Sequence, residues 1–111
     1  MKKTKVLLVD DIEMNLILLE EMLEDLTLEV IKARSGSEAI ELVSQNSFAL
    51  VLLDVQMPDM DGFETAEKLY QIEGNKDLPI IFVTAVNIEE QYVLKGYQFG
   101  AVDYIIKPFD P

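Results

Sequence analysis

The sequence predicts an α/β domain built on a doubly wound parallel sheet with helices on both faces. Short β-rich apolar runs alternate with longer stretches of helical period, the pattern of strand-helix units. Residues Ala49 to Leu53 form an apolar run bounded by polar residues, as expected of a central strand buried on both sides. The chain has 111 residues, half of them apolar, which suits one domain with a real core, so 1–111 is read as a single unit.

The first strand is the run Lys5 to Val9. Leu16, Leu19, Met22, Leu23 and Leu26 follow at spacings of three, three, one and three, which predicts one apolar face of a first helix. Leu28 to Lys32 reads as a second strand of edge character. Ser35-Gly36-Ser37-Glu38 has the Ser-x-x-Glu form of a capping box, and Ala39, Ile40 and Val43 supply the buried stripe of a second helix. Ala49 to Leu53 is the third strand, and it ends in Asp54. The loop Val55 to Met60 contains Pro58 and leads to Asp61, which can cap a third helix with Glu64 three residues on. Gly74-Asn75-Lys76 punctuates its end. Pro79 introduces Ile80 to Val83 as strand four, and Asn87 with Glu90 can cap a fourth helix reaching about Tyr97. Val102 to Ile106 is strand five. Asp110-Pro111 has the N-cap and N1 chemistry of a fifth helix that is not written, so the domain reads as truncated after strand five.

Composition narrows the function. Nine basic against 21 acidic residues give a formal charge of -12, which repels a phosphate backbone and anionic lipid, so neither nucleic acid nor membrane is expected as a partner of this segment. Met1-Lys2-Lys3-Thr4-Lys5 is like a signal-peptide n-region, but the apolar run Val6 to Val9 is too short to follow it, and a cytoplasmic location is expected. The chain has neither cysteine nor histidine. Disulfides, thiolate sites, a Ser-His-Asp triad and imidazole ligands are thereby excluded. A metal must be held by oxygen, which points to Mg²⁺, with Mn²⁺ or Ca²⁺ as substitutes.

Asp10 and Asp11 follow strand one, Asp54 strand three, Thr84 strand four and Lys107 strand five. The carboxyl ends of parallel strands share one edge, where a ligand crevice forms at the point of reversal in strand order. Carboxylates crowded there repel by roughly 4 kcal/mol for a pair about 4 Å apart at an effective dielectric near 20, so a cation must compensate. Mg²⁺ accepts a few carboxylates and keeps waters that phosphoryl oxygens can displace. Lys107 can add a mobile positive charge and Thr84 a hydroxyl donor. A carboxylate can act as nucleophile by forming an acyl phosphate, while positioning and charge stabilisation supply the remaining catalysis. These residue types describe phosphoryl transfer.

Val9-Asp10-Asp11, Leu53-Asp54-Val55-Gln56-Met57-Pro58, Asp61-Gly62, Thr84-Ala85 and Lys107-Pro108 together resemble the receiver domain of two-component response regulators, over nearly the whole chain. The resemblance implies a flavodoxin-like strand order 2-1-3-4-5, here with the fifth helix missing. It implies that Asp54 is the phosphoacceptor and that Asp10, Asp11, Asp54 and the Gln56 backbone carbonyl hold Mg²⁺. Thr84 and Lys107 would contact the phosphoryl oxygens, Ala85 would leave access, and the Lys107-Pro108 bond would be cis. Thr84 and Tyr104 would form the switch. The implied partners are a sensor histidine kinase or phosphotransfer protein and an output domain or partner protein, with a homodimer possible. Such a domain assists its own phosphorylation and dephosphorylation and is otherwise no enzyme.

Other readings compete. Asp10-Asp11 could simply cap the first helix, and Asp59 and Asp61 read as loop and cap residues. Tyr104 suits a structural role equally. A Mg²⁺-dependent aspartyl-phosphate phosphohydrolase would place an acid two residues after its nucleophile, where this chain has Gln56. A receiver-like interaction module that is never phosphorylated would not need all five site residues.

Overall fold

Strand β1 (Thr4–Val9) is the second strand of the sheet, and helix α1 (Glu13–Met22) leads from it to β2 (Leu28–Ala33) at the edge. The chain continues through α2 (Gly36–Gln45), β3 (Leu50–Asp54), α3 (Gly62–Gln71), β4 (Ile80–Ala85) and β5 (Asp103–Lys107). The computed structural model describes residues 4–24, 27–85 and 103–107. Its five strands form one parallel sheet in the order β2-β1-β3-β4-β5. Since β2 lies on one side of β1 and β3 on the other, the winding reverses between β1 and β3. A crevice opens at their carboxyl ends.

Alternation along the strands distributes the core between two faces. Leu7 and Val9 of β1, with Val51 and Leu53 of β3, pack under Ala39 and Val43 of α2 and Phe63, Ala66 and Leu69 of α3. Val6 and Leu8, with Leu52 and Val83, pack against Leu16 and Leu19 of α1. The sheet is therefore covered on both sides, as the continuous apolar run of β3 predicts. Each fully buried aliphatic side chain of this kind contributes about 1.5–3 kcal/mol relative to exposure.

Two helices start as their sequences predict. Ser35 Oγ accepts from the Glu38 amide at 3.0 Å, and Asp61 Oδ1 accepts from the Glu64 amide at 2.8 Å. The first helix differs. Its N-cap position is Ile12, with no side-chain cap, so the reading of Asp10-Asp11 as simple caps does not hold. Leu16 and Leu19 are buried and Leu23 is half-buried, but Met22 is exposed. The reason is geometric: three residues advance a helix 60° short of a full turn, so repeated steps of three carry Met22 off the face that Leu16 occupies. Leu26, the expected fourth helix from Asn87 to Tyr97, and Pro108 to Pro111 lie outside the described residues. Among the described residues, no helix is long and apolar enough to cross a membrane.

Candidate metal centre

The end of β1 and the end of β3 each deliver a carboxylate into the crevice. Asp10 follows β1 directly and is held there by its amide, which donates to the Ala33 carbonyl of β2 at 3.1 Å. Asp54 is the last residue of β3, level with Val83 of β4. Both are buried, and Asp11 is half-buried beside them. One oxygen from each of Asp10, Asp11 and Asp54 lies within 4.8 Å of the others. At that separation two like charges repel by roughly 3.5 kcal/mol at an effective dielectric near 20.

Asp10 is oriented by donors from α1: its Oδ1 accepts from the Ile12 amide at 2.9 Å and from Asn15 Nδ2 at 3.4 Å. Asp11 Oδ1 is buried without a hydrogen-bond partner among the described residues. Buried carboxylate oxygens of this kind require a hydrogen bond or a cation. An all-oxygen, highly anionic donor set fits a hard divalent ion, and the acidic pocket suits Mg²⁺. Asp59 and Asp61 are not in the cluster; Asp61 caps α3 as expected.

The β3–α3 loop is held tightly over the site. The Gly62 amide donates to the Val55 carbonyl at 2.8 Å, and a Cβ at Gly62 would collide with the carbonyl oxygen of Asp54. Phe63, in the first turn of α3, packs on Phe82 of β4 with ring centroids 4.9 Å apart. Within the loop, Asp59 has φ 68°, and the Met60 amide donates to the Pro58 carbonyl at 2.8 Å, which closes a γ-turn. The left-handed conformation costs an L-residue about 1–2 kcal/mol, while glycine adds about 0.4–1 kcal/mol of unfolded-chain entropy, so Asp59→Gly is expected to stabilise by about 0.5 kcal/mol. A urea unfolding midpoint would register the gain.

Thr84 lies in β4 opposite Ile106, and Lys107 ends β5 opposite Ala85, so their backbones reach the carboxyl edge. Tyr104 stands opposite Phe82, further back in β5. Gln56 is exposed in the loop just after Asp54. Two residues with a role here carry no sequence signal. Asn15 supports Asp10, and Arg34 donates from Nη2 to the Asp11 carbonyl at 3.2 Å.

Fold and site together define a flavodoxin-like α/β domain with an acidic, cation-suited pocket at its switch point. A family model described as the response regulator receiver domain matches residues 6–111. Transcriptional regulatory protein SrrA of Staphylococcus aureus is 42% identical over 107 residues, which cover 96% of this chain and 43% of that protein. The chain thus spans less than half the length of the curated relatives it matches. Among solved structures, the Vibrio cholerae chemotaxis protein CheY4 is similar with a TM-score of 0.91 and 30% identity, over 99% of this chain and 91% of that one. The HemR receiver domain of Leptospira biflexa follows with a TM-score of 0.85 and 41% identity, over 97% and 85%. The chain belongs to the response regulator receiver domain family of two-component systems. Phosphorylation-dependent switching is that family's general function.

Proposed function

We propose that this chain is a signalling switch that accepts a phosphoryl group on Asp54, with Mg²⁺ held by Asp10, Asp11, Asp54 and the Gln56 backbone carbonyl. The gathering of three carboxylates at the switch point of the sheet carries the reading. A carboxylate oxygen of Asp54 forms a bond to phosphorus as the donor's bond to phosphorus breaks; the leaving group departs with the electron pair and takes up a proton. Mg²⁺, when bound, offsets the carboxylate charge and stabilises charge on the phosphoryl oxygens. The Thr84 hydroxyl and the Lys107 ammonium would contact the same oxygens.

With no histidine in the chain, a phosphohistidine donor has to come from outside, from a sensor histidine kinase or a phosphotransfer protein. The likeness to a transcriptional regulator supports an output carried by another domain or a partner, in the cytoplasm. A homodimer is one form such an output can take. Gln56, in place of a second acid, disfavours a phosphohydrolase.

Added charge on Asp54 draws Thr84 and Lys107 toward it and biases a rearrangement read out near Tyr104. Backbone amide NMR tests this coupling. On phosphorylation with acetyl phosphate and Mg²⁺, the amides of Thr84, Tyr104 and Lys107 are expected to shift well beyond those of β2. Shifts confined to the neighbours of Asp54 would rule out the switch while leaving the modification intact.

A further inference from the structure

Arg34 is the residue between the end of β2 and Ser35, the cap of α2. It is the sole arginine of the chain. Lys5, Lys32 and Lys68 each lie within 4.0 Å of a glutamate oxygen, but Arg34 has no carboxylate in that range among the described residues. Its guanidinium instead donates to the Asp11 backbone carbonyl at 3.2 Å. That single bond uses one of five N–H donors and fixes a permanent positive charge at the rim of the acidic pocket, exposed to solvent.

The pocket needs such a charge. A divalent cation among three carboxylates leaves one net negative charge, which the Lys107 ammonium of the proposed function only balances, so the field of a chain that carries -12 still repels an incoming phosphoryl donor with two negative charges. Lys107 ends β5, which β3 and β4 separate from β1. Arg34 stands on the β2 side, beside Asp11, at the opposite end of the sheet from β5. We infer that Arg34 forms an outer anion subsite that draws in the phosphoryl donor, as a dianion, before transfer. The inference rests on the phosphoacceptor reading of Asp54.

Autophosphorylation by acetyl phosphate at saturating Mg²⁺, compared between the unmodified chain, Arg34→Gln and Arg34→Lys, tests it, with Mg²⁺ affinity measured separately by calorimetry without donor. Arg34→Gln is expected to lower the second-order rate constant by about threefold to tenfold, with the loss shrinking as salt rises. Arg34→Lys, which keeps the charge, is expected to retain most of the rate. Mg²⁺ affinity should stay unchanged or tighten, because a positive charge has been removed from the site. An unchanged rate in Arg34→Gln would overturn the inference. So would a fall in Mg²⁺ affinity, which would make Arg34 a structural tie on Asp11. If even the unmodified chain gains no phosphoryl group, the reading of Asp54 fails instead. The subsite is then judged by inorganic phosphate binding to the Mg²⁺-loaded chain: weaker binding in Arg34→Gln is expected, and equal binding overturns it.

Discussion

Asp10→Asn is expected to stabilise the metal-free protein by about 1–3 kcal/mol while weakening Mg²⁺ binding at least about a hundredfold. The two effects have one origin. Asparagine keeps the oxygen that accepts from the Ile12 amide and Asn15 Nδ2, so the substitution removes the charge while retaining those two hydrogen bonds. Without a cation, that charge is repelled by both Asp11 and Asp54 at no more than 4.8 Å. With a cation, the same charge is the attraction that binds it. Urea unfolding in chelator and again in Mg²⁺ separates the two. The unmodified chain should gain stability with Mg²⁺ through binding linkage, and the variant should not respond. A metal-free variant no more stable than the unmodified chain would contradict the electrostatic account of the pocket.

Gly62→Ala is expected to cost about 3 kcal/mol, at the severe end for one added methyl group in a packed interior. The three atoms nearest the added Cβ are all backbone, the Asp54 carbonyl oxygen first and Val55 Cα at 2.8 Å next. A backbone cannot rotate away as a side chain can. Relief requires either a shift of α3, which Phe63 opposes through Phe82 and the core, or a shift of the strand end that presents Asp54. A drop in the urea midpoint at unchanged slope measures the cost. Slower phosphorylation in the population that remains folded would show that the strand end has yielded. A substitution tolerated within about 0.5 kcal/mol would mean that the loop over the site is far more pliant than its contacts imply.

Most of the frame was legible because its signals are local and periodic. The unbroken apolar run before Asp54 marks a central strand, the Ser35 and Asp61 caps announce two helices, and strand ends place Asp10, Asp11 and Asp54 on one edge. The apolar face of α1 was only half legible, because steps of three drift around a helix and Met22 turned outward. Arg34 was invisible for another reason. Its contact joins a side chain to a backbone carbonyl 23 residues away, and no local pattern encodes such a pairing. The same holds for the strained backbone at Asp59, where a loop of ordinary residues closes around one left-handed position. Gly62 belonged to a recognisable motif, but its packing against the Asp54 carbonyl is a tertiary fact.

Intact mass after incubation with acetyl phosphate, with and without Mg²⁺, for the unmodified chain and Asp54→Asn, bears most directly on the whole account. The expected result is a base-labile gain of one phosphoryl group that requires Mg²⁺ and is absent from Asp54→Asn. A folded chain that binds Mg²⁺ yet gains nothing, or a gain that persists in Asp54→Asn, would contradict it.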